Sequence, residues 1–385
     1  MANTRLEASG ARVLNFSAGP GLLPLPVLET AAKEMTNFSQ GHSLMELSHR
    51  SATFEKVLQE TEDAYRRLLG VPDNYKVLFI QGGATLQFSM VALNLCGFDA
   101  RKKLDYVVTG AWSQKGYEEA VRLIGKDRVN LVVSTKTTKH NGDIPDVSQW
   151  KFSDKQQYVF YCDNETVHGV EFGSKFPFDK IDKSTPIVCD MSSNILSGPI
   201  DVSKYGVIFA GAQKNMGPAG VTVTIIREDL LAVDYKTSQP IPTMLDYNTY
   251  STSQSMHNTP PTYPIYVCGL VYKWLENEIG GLENMSKINS AKAAALYNAI
   301  DNSNGFYTGP VKKEYRSRMN VPFLVKGGDA TAEKQFLAEA EKRGMIQLAG
   351  HRSVGGVRAS LYNAMPLDGV EALVSFMKEF ASKNA

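Results

Sequence analysis

The sequence lacks the features that mark disulfide-rich or zinc-binding proteins. Its 385 residues include only four cysteines, Cys96, Cys162, Cys189 and Cys268, which lie far apart and form no CxxC pair. This spacing argues against a disulfide framework and against a zinc site. Buried thiols in a reducing compartment are the simplest account of the four cysteines, and we expect no bound metal.

Net charge and long apolar runs are also scarce. The 41 basic and 40 acidic residues leave a formal net charge of +1, so a nucleic-acid partner is not indicated. Apolar runs end well before the ~18 consecutive residues that a membrane span needs. Residues 1–14 lack the apolar core of a secretory signal. The chain is predicted to be soluble and cytoplasmic, with no membrane partner.

Short apolar runs alternate with helical patterns along the first two thirds of the chain. Strands are predicted at residues 77–80, 106–109, 130–133, 158–162, 187–189, 207–210 and 221–226. Helical spacing occurs between some of them, at residues 86–95 and 114–124. Continuous apolar strands between helices are typical of a sheet that is covered on both faces. The sequence therefore predicts an α/β fold with a mostly parallel sheet.

A proline-rich, polar stretch at residues 238–264 predicts an irregular connection with a domain boundary near its end. After this stretch, helices are predicted at residues 265–277, 285–299, 332–343 and 369–380, and strands at 320–325 and 357–362. These elements predict a smaller α+β unit. The expected organisation is an N-terminal extension (1–14), a large domain (15–264) and a small C-terminal domain (265–385).

The most informative segment is residues 207–220, in which an apolar strand is followed by Lys214 among small, turn-forming residues. Burial beside another cation lowers the pKa of an amine until it can form a Schiff base with a carbonyl. Asp190 ends another apolar run, and open α/β sheets bind ligands at such strand ends. Pyridoxal phosphate needs both groups, an amine for its aldehyde and a counter-ion for its ring nitrogen. The alternative is that Lys214 is a solvated loop lysine.

Three other strand ends carry candidate ligand-binding residues. Gly82 and Gly83 open a predicted helix, where free N–H groups favour a phosphate, although a glycine pair also serves as a plain turn. Trp112 offers a flat face for a heteroaromatic ring, and a core tryptophan is the alternative. Thr166 can donate a hydrogen bond to a ring oxygen, whereas its neighbours Asn164 and His168 fit a role in the turn.

Seven segments together resemble one known family. They are Asn15–Pro20, Ser48–Arg50, Cys162–Thr166, Gly211–Asn215, His257–Pro261, Arg316–Asn320 and Gly350–Ser360. These segments are similar to the phosphoserine aminotransferases, which are class-V aminotransferases and pyridoxal phosphate enzymes of fold type I. The resemblance runs from about Asn15 to the C-terminus.

The resemblance implies a fold and a cofactor. The expected large domain has a mostly parallel seven-stranded sheet and is followed by a smaller α+β domain. Lys214 is expected to hold pyridoxal phosphate as a Schiff base, with Asp190 on the ring nitrogen. The other implied cofactor contacts are Gly83, Ala84, Thr85, Trp112, Thr166, Gln213, Asn258 and Thr259. Asn258 and Thr259 are expected to reach the cofactor of the partner in a homodimer with shared active sites.

The resemblance also implies the reaction, which is amino transfer between L-glutamate and 3-phosphohydroxypyruvate in serine biosynthesis. Both substrates are polyanions, which arginine grips well with its planar fork. Arg358 is expected to bind the α-carboxylate. The residues expected to bind the distal carboxylate or phosphate, partly across the dimer interface, are His49, Arg50, His351 and Arg352.

The chain departs from bacterial members of the family in its glycine turn, where an arginine is replaced by Ala84, Thr85 and Leu86 without charge. The substrate contact of that arginine is therefore not carried over. Another enzyme of the same fold is the main alternative, for example a cysteine desulfurase, which requires a reactive cysteine; Cys268 instead lies in an apolar pattern. A non-catalytic nucleotide-binding module and a purely structural dimer give no role to Lys214 and Asp190.

Overall fold

The computed structural model describes residues 12–135, 143–232, 235–237 and 240–384. Residues 1–11 of the expected N-terminal extension lie outside the described residues. The strands are β1 (Leu14–Asn15), β2 (Tyr75–Ile80), β3 (Lys103–Val108), β4 (Val129–Ser134), β5 (Gln156–Cys162), β6 (Asn164–Glu165), β7 (Val170–Glu171), β8 (Ile187–Asp190), β9 (Val207–Gly211), β10 (Thr222–Arg227), β11 (Tyr307–Thr308), β12 (Asn320–Val325), β13 (Met345–Ile346) and β14 (Val357–Ser360).

The helices are α1 (Leu25–Glu34), α2 (Ala52–Leu69), α3 (Gly83–Leu95), α4 (Ala111–Ile124), α5 (Tyr247–Thr252), α6 (Thr262–Asn277), α7 (Leu282–Asp301), α8 (Ala330–Glu341) and α9 (Leu367–Asn384). Short 3₁₀ turns complete several of the connections. Across the described ranges, no helix combines the length and apolar character that crossing a bilayer requires.

The central sheet has seven strands in the order β2-β10-β9-β8-β5-β3-β4. Strand β10 is antiparallel to both of its neighbours, and the remaining pairs are parallel. Each of the seven predicted strands overlaps one of these strands. The prediction of an α/β fold with a mostly parallel seven-stranded sheet is confirmed.

Helices cover both faces of this sheet. Along β2, Phe79 belongs to one buried cluster and Leu78 to the other, as the alternation of side chains in a strand requires. Helix α6 covers the first face and helix α3 the second, so the strands are apolar on both sides. This packing explains why the strands read as continuous apolar runs in the sequence.

The smaller unit is an antiparallel sheet, β11-β12-β14, packed with helices α7, α8 and α9. Its core is rich in aromatic residues, including Phe323, Phe336 and Phe376. Strand β1 pairs with β13, so the beginning of the described chain joins this C-terminal unit.

The packing around residue 265 bears on the expected domain boundary. Helix α6 contributes Ile265 and Leu275 to the core of the large sheet, so a boundary at 265 would separate these residues from their packing partners. Helix α7 contributes Met285 to the large core and Leu296 to the small one. We propose that the two domains divide within α7.

Candidate active site

A cavity of about 300 Å³ lies at the edge of the central sheet where the parallel strands end. Residues that follow β2, β3, β5, β8 and β9 meet there because these strands run in the same direction. The predicted site residues that line the cavity are Gly83, Ala84, Thr85, Trp112, Thr166, Asp190, Gln213, Lys214, His351 and Arg358. Its volume is in the range of small-molecule sites.

Lys214 is a buried amine in this cavity. Its side chain follows β9 and is only 8% exposed, which excludes the reading as a solvated loop lysine. Its Nζ donates a hydrogen bond to Thr166 Oγ1 at 2.7 Å and lies 5.6 Å from the centre of the Trp112 ring. Burial lowers the pKa of Lys214, while the nearby Asp190 opposes that shift. The amine is therefore poised to lose its proton more easily than a surface lysine.

Asp190 is a buried carboxylate at the end of β8, and it is 3% exposed. Its Oδ1 accepts hydrogen bonds from the backbone N–H of Ser192 at 2.9 Å and from Ser192 Oγ at 2.6 Å. Burial raises the pKa of Asp190, and the charge of Lys214 opposes that shift. A buried anion of this kind gains most from a cationic partner.

The glycine turn after β2 presents the amino terminus of α3 to the cavity. Gly82 has φ +105°, and an added Cβ would lie 2.5 Å from the Leu86 side chain, so this turn requires glycine. Within the described chain, no side chain caps the helix. The first-turn N–H groups at Gly83, Ala84 and Thr85 have no partner within the helix, as in any helix, and are available to an anion.

The amino terminus of helix α4 lies at the same cavity, and a side chain of the protein itself caps it. Glu165 Oε2 accepts a hydrogen bond from the Trp112 N–H at 3.0 Å, and Oε1 accepts from the Ser113 N–H at 2.8 Å. Gly110 allows this approach, because a Cβ there would lie 2.4 Å from the Glu165 carboxyl carbon. Glu165 therefore fixes the turn that carries Trp112.

An arginine and a histidine reach the cavity from the smaller domain. Arg358 lies on β14 and donates to the Thr166 carbonyl at 3.4 Å. His351 precedes β14, and its Nδ1 lies 2.7 Å from Ser353 Oγ. Burial lowers the pKa of His351, and the positive charges of Arg358, Arg352 and Lys115 add to this effect. An excess of positive charge thus surrounds one side of the cavity.

The residues that line the cavity fit pyridoxal phosphate. They include a buried amine, a buried carboxylate, an aromatic ring and an open helix amino terminus. Two buried donors also lack an acceptor within the described chain, Trp112 Nε1 and Arg358 Nε. Unpaired buried donors favour the binding of a ligand that has acceptor oxygens.

Five predicted site residues do not line the cavity of a single chain. His49 and Arg50 lie in the turn before α2, Arg352 is exposed next to His351, and Asn258 and Thr259 lie in the connection before α6. Asn258 Nδ2 donates to Gln81 Oε1 at 3.1 Å, beside the glycine turn. Asn258 and Thr259 are predicted to reach the cofactor of a partner protomer, and the predicted substrate contacts lie partly across a dimer interface; these roles stay predictions.

Some residues of the cavity were not predicted from the sequence. Ala18 and Gly19 form one wall, and Ser192 and Glu165 hold Asp190 and Trp112 in place. Ala18 and Gly19 fall within a segment that carried the family resemblance, which was the signal available for them. Glu165 had the same signal and no local pattern of its own.

Cys162 lines the cavity, but burial raises the pKa of its thiol well above the ordinary value, so the thiol is not reactive. All four cysteines are free and buried. Burial raises the pKa of Cys268 to about 12, so its thiol stays protonated. This environment disfavours the cysteine desulfurase alternative.

Comparisons with known proteins agree with this geometry. The model of the family described as aminotransferase class-V matches residues 13–373. The phosphoserine aminotransferase of Laribacter hongkongensis is 49% identical over 373 residues, which are 97% of this chain and 99% of that protein.

Two solved structures of phosphoserine aminotransferases are also similar. The structure from Bacillus circulans subsp. alkalophilus has a TM-score of 0.90 and 44% identity, and the match covers 97% of this chain and 99% of that one. The PLP-bound structure from Trichomonas vaginalis has a TM-score of 0.88 and 43% identity, with 95% and 100% covered. The chain belongs to the class-V aminotransferase family and, within it, to the phosphoserine aminotransferases.

Proposed function

We propose that this protein is a pyridoxal-phosphate-dependent transaminase that exchanges an amino group between L-glutamate and 3-phosphohydroxypyruvate, giving O-phospho-L-serine and 2-oxoglutarate. The observation that carries the proposal is the buried Lys214 amine in one cavity with Asp190, Trp112 and the open terminus of α3. The high identity to phosphoserine aminotransferases over nearly the whole chain supports the choice of substrates.

Different residues of the cavity would hold different parts of the cofactor. The amino terminus of α3 would hold the phosphate, Trp112 would cover one face of the ring, and Asp190 would keep the ring nitrogen protonated. When bound, pyridoxal phosphate supplies a carbonyl that condenses with amines and a ring that accepts the electron pair left behind when a proton leaves the substrate Cα. Asp190 is suited to its part because a buried carboxylate favours a nearby positive charge.

Lys214 supplies the base. Its lowered pKa favours the neutral amine, and Nζ would take the proton from the substrate Cα and deliver it to the cofactor carbon C4′. Thr166 Oγ1, at 2.7 Å, orients Nζ by accepting its hydrogen bond. The same lysine then serves both half-reactions, with the proton moved in opposite directions.

Arg358 would bind the α-carboxylate shared by every substrate of the reaction. It is half-buried and has an unpaired Nε, so a carboxylate would satisfy a donor that otherwise stays without an acceptor. His351, next to it, would meet the distal carboxylate or phosphate. Burial and neighbouring cations lower the pKa of His351, and an anionic substrate group would oppose this shift and favour the protonated form.

The test is a pair of measurements on the purified protein. Its visible spectrum is recorded before and after O-phosphoserine, and before and after alanine. We expect the absorbance of the lysine-bound cofactor to change with O-phosphoserine only. Borohydride reduction and peptide mapping should then place the cofactor on the peptide that contains Lys214.

A Lys214→Ala variant is the control for both measurements, and it should bind the cofactor without a reducible linkage. A label on any other peptide, or equal spectral changes with alanine and O-phosphoserine, would contradict the proposal.

The proposed enzyme is a homodimer in which His49, Arg50, Asn258 and Thr259 complete the partner's site. These residues lie outside the cavity of their own chain. Complementation tests this sharing. Lys214→Ala and Arg50→Ala protomers should each be poorly active alone. Mixing them should restore about a quarter to a half of the wild-type activity, because one of the two sites in each mixed dimer is intact.

No restoration in verified mixed dimers would show that each site is built from one chain. In that case Arg50 would act on its own protomer or not at all.

A further inference from the structure

Lys292 is a buried cation that the proposed reaction does not use. It lies on α7 with 0% of its surface exposed. Its Nζ donates hydrogen bonds to the backbone carbonyls of Leu361 at 3.0 Å, Tyr362 at 2.9 Å and Met365 at 2.9 Å. These three bonds use all the donors of the ammonium group.

Burying this charge is costly. An ammonium group loses its hydration when it is buried, and burial lowers the pKa of Lys292 to about 7. A methionine of similar length would fill the same volume without that cost. The three carbonyls therefore explain what the lysine does, since all of them belong to one turn, residues 361–365, between β14 and α9.

This turn, which we call the 361–365 turn, contacts two walls of the active-site cavity. The Tyr362 hydroxyl donates to the carbonyl of Ala18 at 2.7 Å, and Ala18 lines the cavity. The Asn363 N–H donates to Asn215 Oδ1 at 3.0 Å, and Asn215 directly follows Lys214. The turn also continues from β14, the strand that carries Arg358.

A second residue of α7 supports the same turn. Asn289 Nδ2 donates to Asn363 Oδ1 at 2.9 Å and to the Ser197 carbonyl at 3.0 Å. Asn289 and Lys292 are both fully buried, one helical turn apart. Helix α7 thus holds the 361–365 turn through two polar side chains, and α7 is also the helix that joins the two domains.

We propose that Lys292 is a positioning residue for the transamination site. By holding three carbonyls of the 361–365 turn, it fixes the strand that bears Arg358 relative to the loops that bear Ala18 and Lys214. This inference rests on the proposed function, in which Arg358 binds the substrate carboxylate.

The test compares Lys292→Met with Lys287→Met, which changes an exposed lysine on the same helix. Hydrogen–deuterium exchange of peptides that cover residues 358–366 is measured without substrate. We expect exchange there to be about tenfold faster in Lys292→Met, because three carbonyls lose their common donor, and unchanged in Lys287→Met.

Kinetics provide the second measurement. We expect KM for glutamate and for O-phosphoserine to rise about tenfold in Lys292→Met, with a smaller fall in kcat and the cofactor still linked to Lys214. Lys292→Gln, which keeps two donors, should give intermediate values and provides the measurement if the methionine variant does not fold.

Unchanged exchange in 358–366, or a lower melting temperature with unchanged KM, would overturn the proposal. A wild-type protein without transaminase activity would instead contradict the proposed function. The exchange measurement needs no substrate and would still test whether Lys292 holds the turn.

Discussion

Two helix amino termini lie at the same cavity, and they differ in whether a side chain of the protein caps them. The terminus of α4 is closed by the chain itself, because Glu165 accepts hydrogen bonds from the N–H groups of Trp112 and Ser113. The terminus of α3 carries no side-chain cap within the described residues, and its glycine turn keeps side chains away. The cap of α4 forms when the chain folds, whereas the first-turn N–H groups of α3 are available to an anion.

The difference shows how one structural device serves two purposes. A helix amino terminus carries about half a positive charge and several free N–H groups, so it attracts an anion. At α4 the anion is a buried glutamate, which fixes the turn that carries Trp112. At α3 the anion would be the cofactor phosphate, so the N–H groups of this terminus would stabilise the bound ligand.

The largest expected effect comes from closing the open terminus. Ala84→Glu places a carboxylate at the cavity wall in the first turn of α3, where the phosphate would bind. Two like charges about 4 Å apart repel by about 4 kcal/mol at an intermediate dielectric, which corresponds to about a thousandfold weaker binding of pyridoxal phosphate. Titration of the apo-protein with pyridoxal phosphate, followed by absorbance, measures the change.

Ala84→Gln, of the same size without charge, is the control for this substitution and should bind within about tenfold of wild type. If the glutamate and glutamine variants bound the cofactor equally well, the open terminus of α3 would not be the phosphate site.

The next largest effect comes from opening the closed terminus. Glu165→Ala leaves the N–H groups of Trp112 and Ser113 buried without an acceptor, and each such group costs about 1–3 kcal/mol. We expect the free energy of unfolding of the apo-protein to fall by about 3 kcal/mol in urea titrations. Glu118→Ala, on the exposed face of the same helix, should change it by less than about 0.5 kcal/mol.

Equal stabilities of the Glu165→Ala and Glu118→Ala variants would mean that solvent replaces Glu165 at no cost. The closed terminus would then be no more rigid than the open one.

A smaller effect should appear when inorganic phosphate is added to the apo-protein. Phosphate at five times its dissociation constant should stabilise the native state by about 1 kcal/mol, through binding at the terminus of α3. Thermal unfolding of wild type and Ala84→Glu measures this effect, which should be lost in the variant. Arg358→Ala should keep it, and loss of the effect in Arg358→Ala alone would move the phosphate to the substrate side of the cavity.

This contrast between the termini was only half visible in the sequence. The open terminus could be predicted because Gly82 and Gly83 directly follow an apolar strand, so the signal is local. Lys214 and Asp190 were predicted for the same reason, since each stands at the end of a buried strand. The seven strands were found because a sheet covered on both faces needs continuous apolar runs.

The closed terminus had no such signal. Glu165 caps a helix whose Ser113 lies 52 residues earlier in the chain, and nothing near either residue indicates the pairing. The wall formed by Ala18 depends on strand β1 pairing with β13 near the other end of the chain. Contacts of this kind follow from the tertiary fold rather than from periodicity.

Other features of the fold that were not predicted from the sequence have different physical causes. Helix α2 was not predicted, although Ser51 caps it and Gly70, with φ +59°, ends it, which are signals that a sequence does carry. The boundary predicted at 265 followed a proline-rich stretch, and we propose a division within α7 instead because α6 packs on the large sheet. The roles predicted for His49 and Arg50 depend on a second protomer, and the sequence of one chain does not place it.

The smallest expected effect is a dependence of the two termini on pH with opposite signs. Burial raises the pKa of Glu165 above its ordinary value of 4.5, so the native state holds this proton more tightly than the unfolded chain does. Binding of this proton therefore stabilises the native state. This stabilisation is fully present below about pH 4.5 and is lost as the pH rises through the raised pKa. The stability of wild type minus that of Glu165→Gln should therefore fall as the pH rises from 4.5.

A glutamate placed at the open terminus should behave in the opposite way. In Ala84→Glu the carboxylate is less buried and meets free N–H groups, which favour its charged form and lower its pKa. The stability of this variant relative to Ala84→Gln should rise with pH over the same window, by about 0.3–1 kcal/mol. Urea titrations of the four apo-proteins between pH 4 and pH 7 measure both slopes. Slopes of the same sign would contradict this prediction, because they would mean that burial does not shift the pKa values of the two carboxyl groups in opposite directions.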